Sequence, residues 1–568
     1  MDNQRVFIWA ALALVLYLNF MAWQGDYAPK PVPAAATPTT QTQSGTSGSS
    51  DASRETLPEL PSANPSTPSA PANGTAPATA STEIASTDAP VIRVVTDVLS
   101  LDISTRGGEL IRADLLKYPV EKSRPDVKVR LFSPNPPLYV ARSGLRAADQ
   151  RAEPTHNAMY QAAATEYKLA ADQKELVVPL TWTDGQGVTV TKTYTFHPGS
   201  YRINLNYDVA NNSGSDYRAA SYVQIVRHYE HVERSYFKVE TYAYRGPAIY
   251  DGKAYRKLNV EDEEDRAFKS AIAGGWMAAL QHHFVAAAVP PAGATYDYQL
   301  NLDPDNDYVL SYRGPLETVP AGGTHTFKET LFVGPKLQAQ LAPTGPKLER
   351  VADYGKLTII AEPLFWLLDK VHSVVLNWGL AIIIVTFLIK LAFYKLTAAS
   401  GRSMAKMRQL GPRIKALQER YKDDREQLGR KMMEIYKVEK INPLAGCLPI
   451  LIQIPFFLAF YWVLLESVEM RQAPFLGWIT DLSSRDPFFI LPILMGGAMF
   501  AQFKLQPMPS TDPMQAKIFA FMPVIMSVTM AWFPAGLVLY WLTNTLLSIA
   551  QQYRINKLVA GEDAKNKS

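Results

Sequence analysis

The sequence predicts a multi-domain membrane protein: an α-helical core of five transmembrane helices plus an N-terminal anchor helix, with a large all-β sandwich held outside the membrane. Three observations predict it. Apolar runs of near-bilayer length stand at the N-terminus and crowd the last third of the chain. Between them, residues 91–334 alternate apolar and polar side chains with a period of two. Charge is also split: residues 24–356 hold 33 Lys/Arg against 37 Asp/Glu, whereas residues 395–440 hold 13 against 6. Basic loops stay on the cytoplasmic side, so the two segments are assigned to opposite faces of a membrane. A chain of 568 residues exceeds what one core holds. The single cysteine, Cys447, excludes an intrachain disulfide and reads as packing near a membrane boundary.

Residues 1–27 read as an anchor. Val6 to Trp23 is an apolar run after Arg5, longer than a signal-peptide core, and the small residues Ala34, Ala35 and Ala36 lie too far beyond it to mark cleavage. Residues 28–90 are rich in Pro, Ala, Ser and Thr and lack aromatics, so they cannot bury enough apolar surface to offset ordering and read as a disordered linker.

Residues 91–345 form the expected sandwich. Val188, Val190, Tyr194 and Phe196 alternate with threonines; after a Pro198-Gly199 turn, Ile203, Leu205, Tyr207 and Val209 alternate with Arg202, Asn204, Asn206 and Asp208. That is a hairpin with one buried and one wet face. Leu99, Leu101 and Ile103 repeat the pattern before Gly107-Gly108. Large sandwiches of this kind resemble the sugar-binding mutarotase-like fold, but a fold alone confers no activity. The one suggestive cluster, His228 and His231 among Tyr229, Glu230 and Glu233, reads as polar surface, because histidines three apart on a strand point to opposite faces.

Residues 346–377 connect the sandwich to the membrane part. Leu364, Leu367, Leu368, Val371, Val374 and Val375 recur at helical spacing after Pro363, predicting an amphipathic helix over 364–377 on the outer membrane surface. Residues 378–396, WGLAIIIVTFLIKLAFYKL, follow as the second transmembrane helix; 19 residues rise about 28 Å. Lys390 lies inside this run with no acidic residue in the segment. A charge at mid-depth costs about 2.5–3.5 kcal/mol or more, so it marks a functional-site candidate, with snorkelling of its stem toward the cytoplasmic end as the plain alternative. Thr386, Lys390 and Thr397 share one helical face, and that polar stripe should meet water or protein.

Residues 397–442 predict a cytoplasmic helical hairpin. Met404, Met407, Leu410, Ile414, Leu417 and Tyr421 step by three and four, as do Leu428, Met432, Ile435 and Val438; Pro412 should kink the first arm. Its basic surface, with Arg408, Arg413, Lys415 and Arg420, suits anionic lipid or ribosomal RNA as well as a plain solvated face. Transmembrane helices three to six occupy 443–553, with spans at 448–465, 488–503, 518–533 and 537–553, and residues 554–568 form a cytoplasmic tail. Candidate polar lining for a groove around Lys390 is Thr386, Gln453, Tyr540, Trp541 and Asn544. No phosphate-cradling glycine loop and no catalytic constellation is evident, so neither an enzyme nor a cofactor is expected.

The stretches NWGLAIIIVTFLIK, SMAKMRQLGPRIKALQER, NPLAGCLPILIQIPFFLAFYWVL, RQAPFLGWITDLSSRDPFFILPILMG, DPMQAKIFAFMPVIM and WFPAGLVLYW, in that order, resemble the YidC membrane-protein insertases in their Gram-negative form. The resemblance implies a bacterial inner-membrane protein with cytoplasmic termini and a periplasmic sandwich. It implies five core helices around a hydrophilic groove whose cation receives polar parts of an inserting substrate, a role that falls on Lys390. The family position is usually Arg; Lys keeps the charge and loses the bidentate fork. Implied partners are nascent membrane proteins, the Sec translocon and its accessory subunits, the ribosome and membrane lipids. A secondary transporter is the alternative, since it also uses intramembrane charge and broken helices, but no internal repeat is evident.

Overall fold

The structure, a computed structural model, describes residues 89–148, 151–233, 243–421, 424–438, 448–505 and 513–567. The expected anchor, all but the end of the linker, and Cys447 lie outside the described residues.

Two mostly antiparallel sheets of eleven and nine strands pack face to face as a sandwich. The hairpin comprises strands Val188–Phe196 and Arg202–Asn211, in register from Phe196 opposite Ile203 to Val188 opposite Asn211. Gly199 turns it with φ +69°, a left-handed value costly for other residues. Val190, Tyr194, Ile203 and Leu205 are sealed in the core. The same parity sends Lys192 inward, fully buried. Its Nζ donates to the Gly107 carbonyl at 2.7 Å and to Ser143 Oγ at 3.0 Å, among the rings of Tyr160, Tyr194 and Tyr207. Glu329, equally buried, accepts from Ser221 Oγ at 2.7 Å and Tyr312 Oη at 2.6 Å.

Burial pushes the Lys192 ammonium down to about 7. A depressed lysine binds its proton less well folded than unfolded, so its stabilising contribution is full above the ordinary lysine range and is lost as pH falls toward 7. Sandwich stability in the full chain should therefore rise between pH 7 and 10. Hydrogen exchange of strand Val188–Phe196 should show that rise, and Lys192→Met should flatten it.

The helical part is built from α1 (Thr358–Val375), α2 (Trp378–Ala392), α3 (Tyr394–Gln409), α4 (Gly411–Arg420), α5 (Arg425–Val438), α6 (Leu448–Glu466), α7 (Ile490–Leu505), α8 (Pro513–Met530) and α9 (Ala535–Lys567). Several boundaries correct the sequence reading. α1 starts six residues before the expected 364 and carries Pro363 in its second turn. Ala361, Leu364, Phe365 and Leu368 are buried, while Ile359, Trp366 and Val374 are exposed. The expected helix 378–396 ends at Ala392, and the chain bends by 70° at Phe393 into α3. No proline or glycine causes that bend. Instead α3 lays a small-residue face on α9: a Cβ on Gly401 would sit 2.8 Å from Ile555 Cδ1, and Ala398 and Ala405 pack with Ile555 and Val559.

Pro412 breaks the hairpin's first arm into α3 and α4 at Leu410 instead of kinking one helix, and sits in α4's first turn, where its missing N–H costs nothing. Met407, Leu410 and Ile414 form the seam with Met432, Ile435 and Tyr436. Residues beyond 553 continue α9 without a break to Lys567. By length and composition, no single helix among the described residues is both long and apolar enough to cross a membrane; α2 and α3 pass that test of length and composition only when taken together, across their 70° bend.

The loop between α6 and α7 docks on the sandwich. Val468 joins the sandwich core. Arg471 Nη2 donates to the Pro119 and Val120 carbonyls at 2.8 and 2.9 Å, and Lys122 Nζ donates to the Thr480 carbonyl at 3.0 Å. Beside them Lys336 and Glu466 form a buried ion pair at 3.9 Å.

Candidate functional site

Asn377 caps α2, its side chain accepting from the Leu380 N–H at 3.0 Å and donating to the Phe475 carbonyl at 3.0 Å. Gly379 lets Phe475 press onto the same turn, since a Cβ there would overlap the ring. The cap fixes where the helix begins, and the spacing then turns Thr386 and Lys390 toward α9.

On α9, Tyr540, Asn544 and Ser548 recur every four residues and share one face. Lys390 Nζ donates to Ser548 Oγ at 2.8 Å, and Ser548 Oγ donates to the Asn544 carbonyl at 2.7 Å. Thr386, 1% exposed, bonds back to the Ile382 carbonyl at 2.6 Å. Tyr540 and Gln453 are hydrogen-bonded side chain to side chain.

Thr386, Lys390, Gln453, Tyr540 and Asn544 line one pocket, together with Thr397 and the apolar Ile389, Phe393, Leu396 and Phe456. Its volume is about 30 Å³, room for about one water. The bend at Phe393 removes Thr397 from a continuous α2 face, yet the turned chain still brings it to the pocket, where its Oγ1 accepts from Gln551 Nε2 at 2.8 Å. Trp541 does not line it; its ring meets Phe457 edge-on at 4.5 Å on the neighbouring face. Phe393 and Phe456 meet edge to face at 5.2 Å, which keeps the space narrow. No carboxylate lines the pocket, and no ion pair involves Lys390 among the described residues.

The hairpin residues gather elsewhere. Arg413 lines a separate depression with Leu417, Lys431 and Glu434. Arg420 lies over the Tyr421 ring at 5.9 Å, and Met404 is half-buried. The side chains of Arg408 and Lys415 lie outside the described residues. In the sandwich, His228 pairs with Asp307 at 2.8 Å and His231 with Glu261 at 2.5 Å, two separate contacts and not one cluster.

Residues 91–367 match the family described as YidC periplasmic domain, and residues 370–562 the family described as 60Kd inner membrane protein. A protein of Thioalkalivibrio sulfidiphilus named membrane protein insertase YidC is 46% identical, over 98% of this chain and 98% of its own. This chain belongs to the YidC family of membrane protein insertases. YidC relatives carry the name of an insertase and not of an enzyme, and nothing among them supports a secondary transporter. The YidC family is one of inner membrane proteins; the sandwich is its periplasmic domain and the helical part its C-terminal region.

Among solved structures, an active YidC insertase crystal structure with its first transmembrane domain resolved is similar at 18% identity and TM-score 0.36, covering 81% of this chain and 94% of that one. A galactose mutarotase related enzyme from Lactobacillus acidophilus is similar at 9% identity and TM-score 0.28, covering 43% and 97%.

Ser548 is the site residue that the sequence reading missed. Its signal was the step of four from Tyr540 through Asn544, continued by one more turn.

Proposed function

We propose that this chain inserts and helps fold inner-membrane proteins through the space beside Lys390, using its uncompensated positive charge to draw polar or acidic extramembrane parts of a substrate part-way across the bilayer. The single observation that carries the reading is a half-buried ammonium that, among the described residues, bonds a serine and faces no carboxylate in its pocket. An acidic tail faces a large desolvation barrier in hydrocarbon. The Lys390 charge and the side-chain amides of Gln453 and Asn544 shorten the dry path, and burial of the substrate's apolar segment in lipid then drives release.

The reading includes a topology: five core helices after an N-terminal anchor, both termini cytoplasmic, and the sandwich and the α6–α7 loop periplasmic. α2 has 15 residues and α7 has 16, rises of only about 22 and 24 Å, so the bilayer thins around them. It also includes action alone or beside the Sec translocon, with the sandwich as contact for Sec accessory subunits and the basic hairpin meeting the ribosome weakly. Support for these partners is the family resemblance together with the hairpin's excess of Lys and Arg.

The test is reconstitution of the purified chain alone in vesicles, with a photoreactive residue in place of Gln453. Nascent membrane segments should crosslink there and insert; vesicles that insert nothing beyond protein-free controls would overturn the reading.

A further inference from the structure

A cavity of about 660 Å³ lies at the seam between the sandwich and the α6–α7 loop. Arg227, Arg245 and Arg471 line it, with Arg130, itself paired with Asp114 at 2.8 Å, against two carboxylates, Glu230 and Asp481. Asp481 is already engaged: its Oδ1 accepts from the backbone N–H groups of Gln472 and Ser483 at 3.0 and 2.8 Å and from Ser483 Oγ at 2.7 Å. Histidines also reach the seam, but burial pushes His282 down to about 3 and His283 well below its ordinary value, so they remain neutral. The positive potential therefore comes from guanidinium groups.

Two of these are held in place before any ligand arrives. Arg227 stacks over Tyr139 at 4.8 Å while its Nη1 donates to the Leu280 carbonyl at 2.8 Å. Arg471 stacks over Phe284 at 5.6 Å. Arg245 is exposed and, among the described residues, has no hydrogen-bond or ion-pair partner. Planar forks projecting from separate elements into one cavity match a phosphate better than a single point charge would.

We propose that this seam is a phosphate site, taking either the phosphate of a lipid headgroup or free phosphate. Leu465, the penultimate residue of α6, is part of the lining, so under the topology proposed above the cavity opens at outer-leaflet headgroup depth; the lipid source rests on that reading, whereas phosphate recognition does not.

The experiment uses the full chain in detergent, stripped of lipid. Its melting temperature is followed with inorganic phosphate against chloride at matched ionic strength, and with phosphatidylglycerol against phosphatidylcholine micelles. Arg245→Ala is compared in each arm, because that exposed side chain can be removed without unfolding the chain. A shift with phosphatidylglycerol alone assigns the lipid, and a shift with inorganic phosphate assigns the free ion. In either case Arg245→Ala should bind about tenfold more weakly. No shift in either arm, or shifts equal in the parent and Arg245→Ala, would overturn the proposal. Insertion by Arg245→Ala should remain within about twofold of the parent, so failure here leaves the reading of Lys390 standing.

Discussion

Replacing Lys390 with Ala lowers insertion of a substrate with an acidic translocated tail about tenfold or more, while Lys390→Arg stays within about threefold of the parent. A carboxylate at mid-bilayer costs about 2.5–3.5 kcal/mol, and a facing cation that offsets even half of this changes a rate about tenfold. Among the described residues no carboxylate lines its pocket, and its hydrogen bond runs to a neutral hydroxyl. The variant should fold, because it removes a half-buried charge and leaves Ser548 still bonded to the Asn544 carbonyl. A substrate with an uncharged tail serves as control and should lose less than about twofold. The measurement is protease protection of the tail in vesicles holding the variant alone. Equal insertion of acidic tails by Lys390→Ala and Lys390→Arg would sink the charge-based mechanism and leave only a packing role for the side chain.

Much of the sandwich is legible in the parity of its strands, and the same parity extends to a buried charge. Lys192 sits between Val190 and Tyr194 on a strand whose even positions point inward, so its burial follows from the period alone. What the sequence could not supply was the set of acceptors, since Gly107 comes from a distant turn and Ser143 from a distant strand. Around Lys390, Tyr540 and Asn544 line the same pocket, and the step of four between them, carried one turn further, reaches Ser548. The bend at Phe393 was not legible. The segment stays predominantly apolar through residue 396 despite Lys390 and Lys395, and what accompanies the bend is tertiary: Gly401, Ala398 and Ala405 give α3 a close-packing surface on α9. Pro412 did signal a disturbance, but whether proline kinks a helix or opens a new one depends on where the preceding helix is capped. Trp541 was misplaced by one position, which on a helix is a rotation of about 100° and a different face.

The seam between sandwich and helices was invisible for a simpler reason, that its partners are far apart in the chain, and it carries the other large expected effect. Lys336→Ala should destabilise the docked arrangement by about 3–5 kcal/mol, because it leaves Glu466 buried without its cation. Both side chains are almost fully sealed, at 3% and 5% exposed, and 3.9 Å apart. Burial pulls the Lys336 ammonium below its ordinary range, with the Glu466 carboxylate acting in the opposite direction; desolvation therefore outweighs attraction, and the pair is a matched cost more than a source of stability. The double change Lys336→Met with Glu466→Leu should accordingly recover to within about 1 kcal/mol of the parent, since it removes both buried charges and keeps the volume. Hydrogen exchange of the full chain in nanodiscs separates the cases. With Lys336→Ala, protection should fall at Leu465–Met470 and at Gln338–Leu341, where Tyr354 bridges Gln338 at 2.6 Å and Ser467 at 3.2 Å. If the single and double variants lose protection equally, the buried pair is irrelevant to docking, which then rests on the other contacts of the seam, Val468, Arg471 and Lys122 among them.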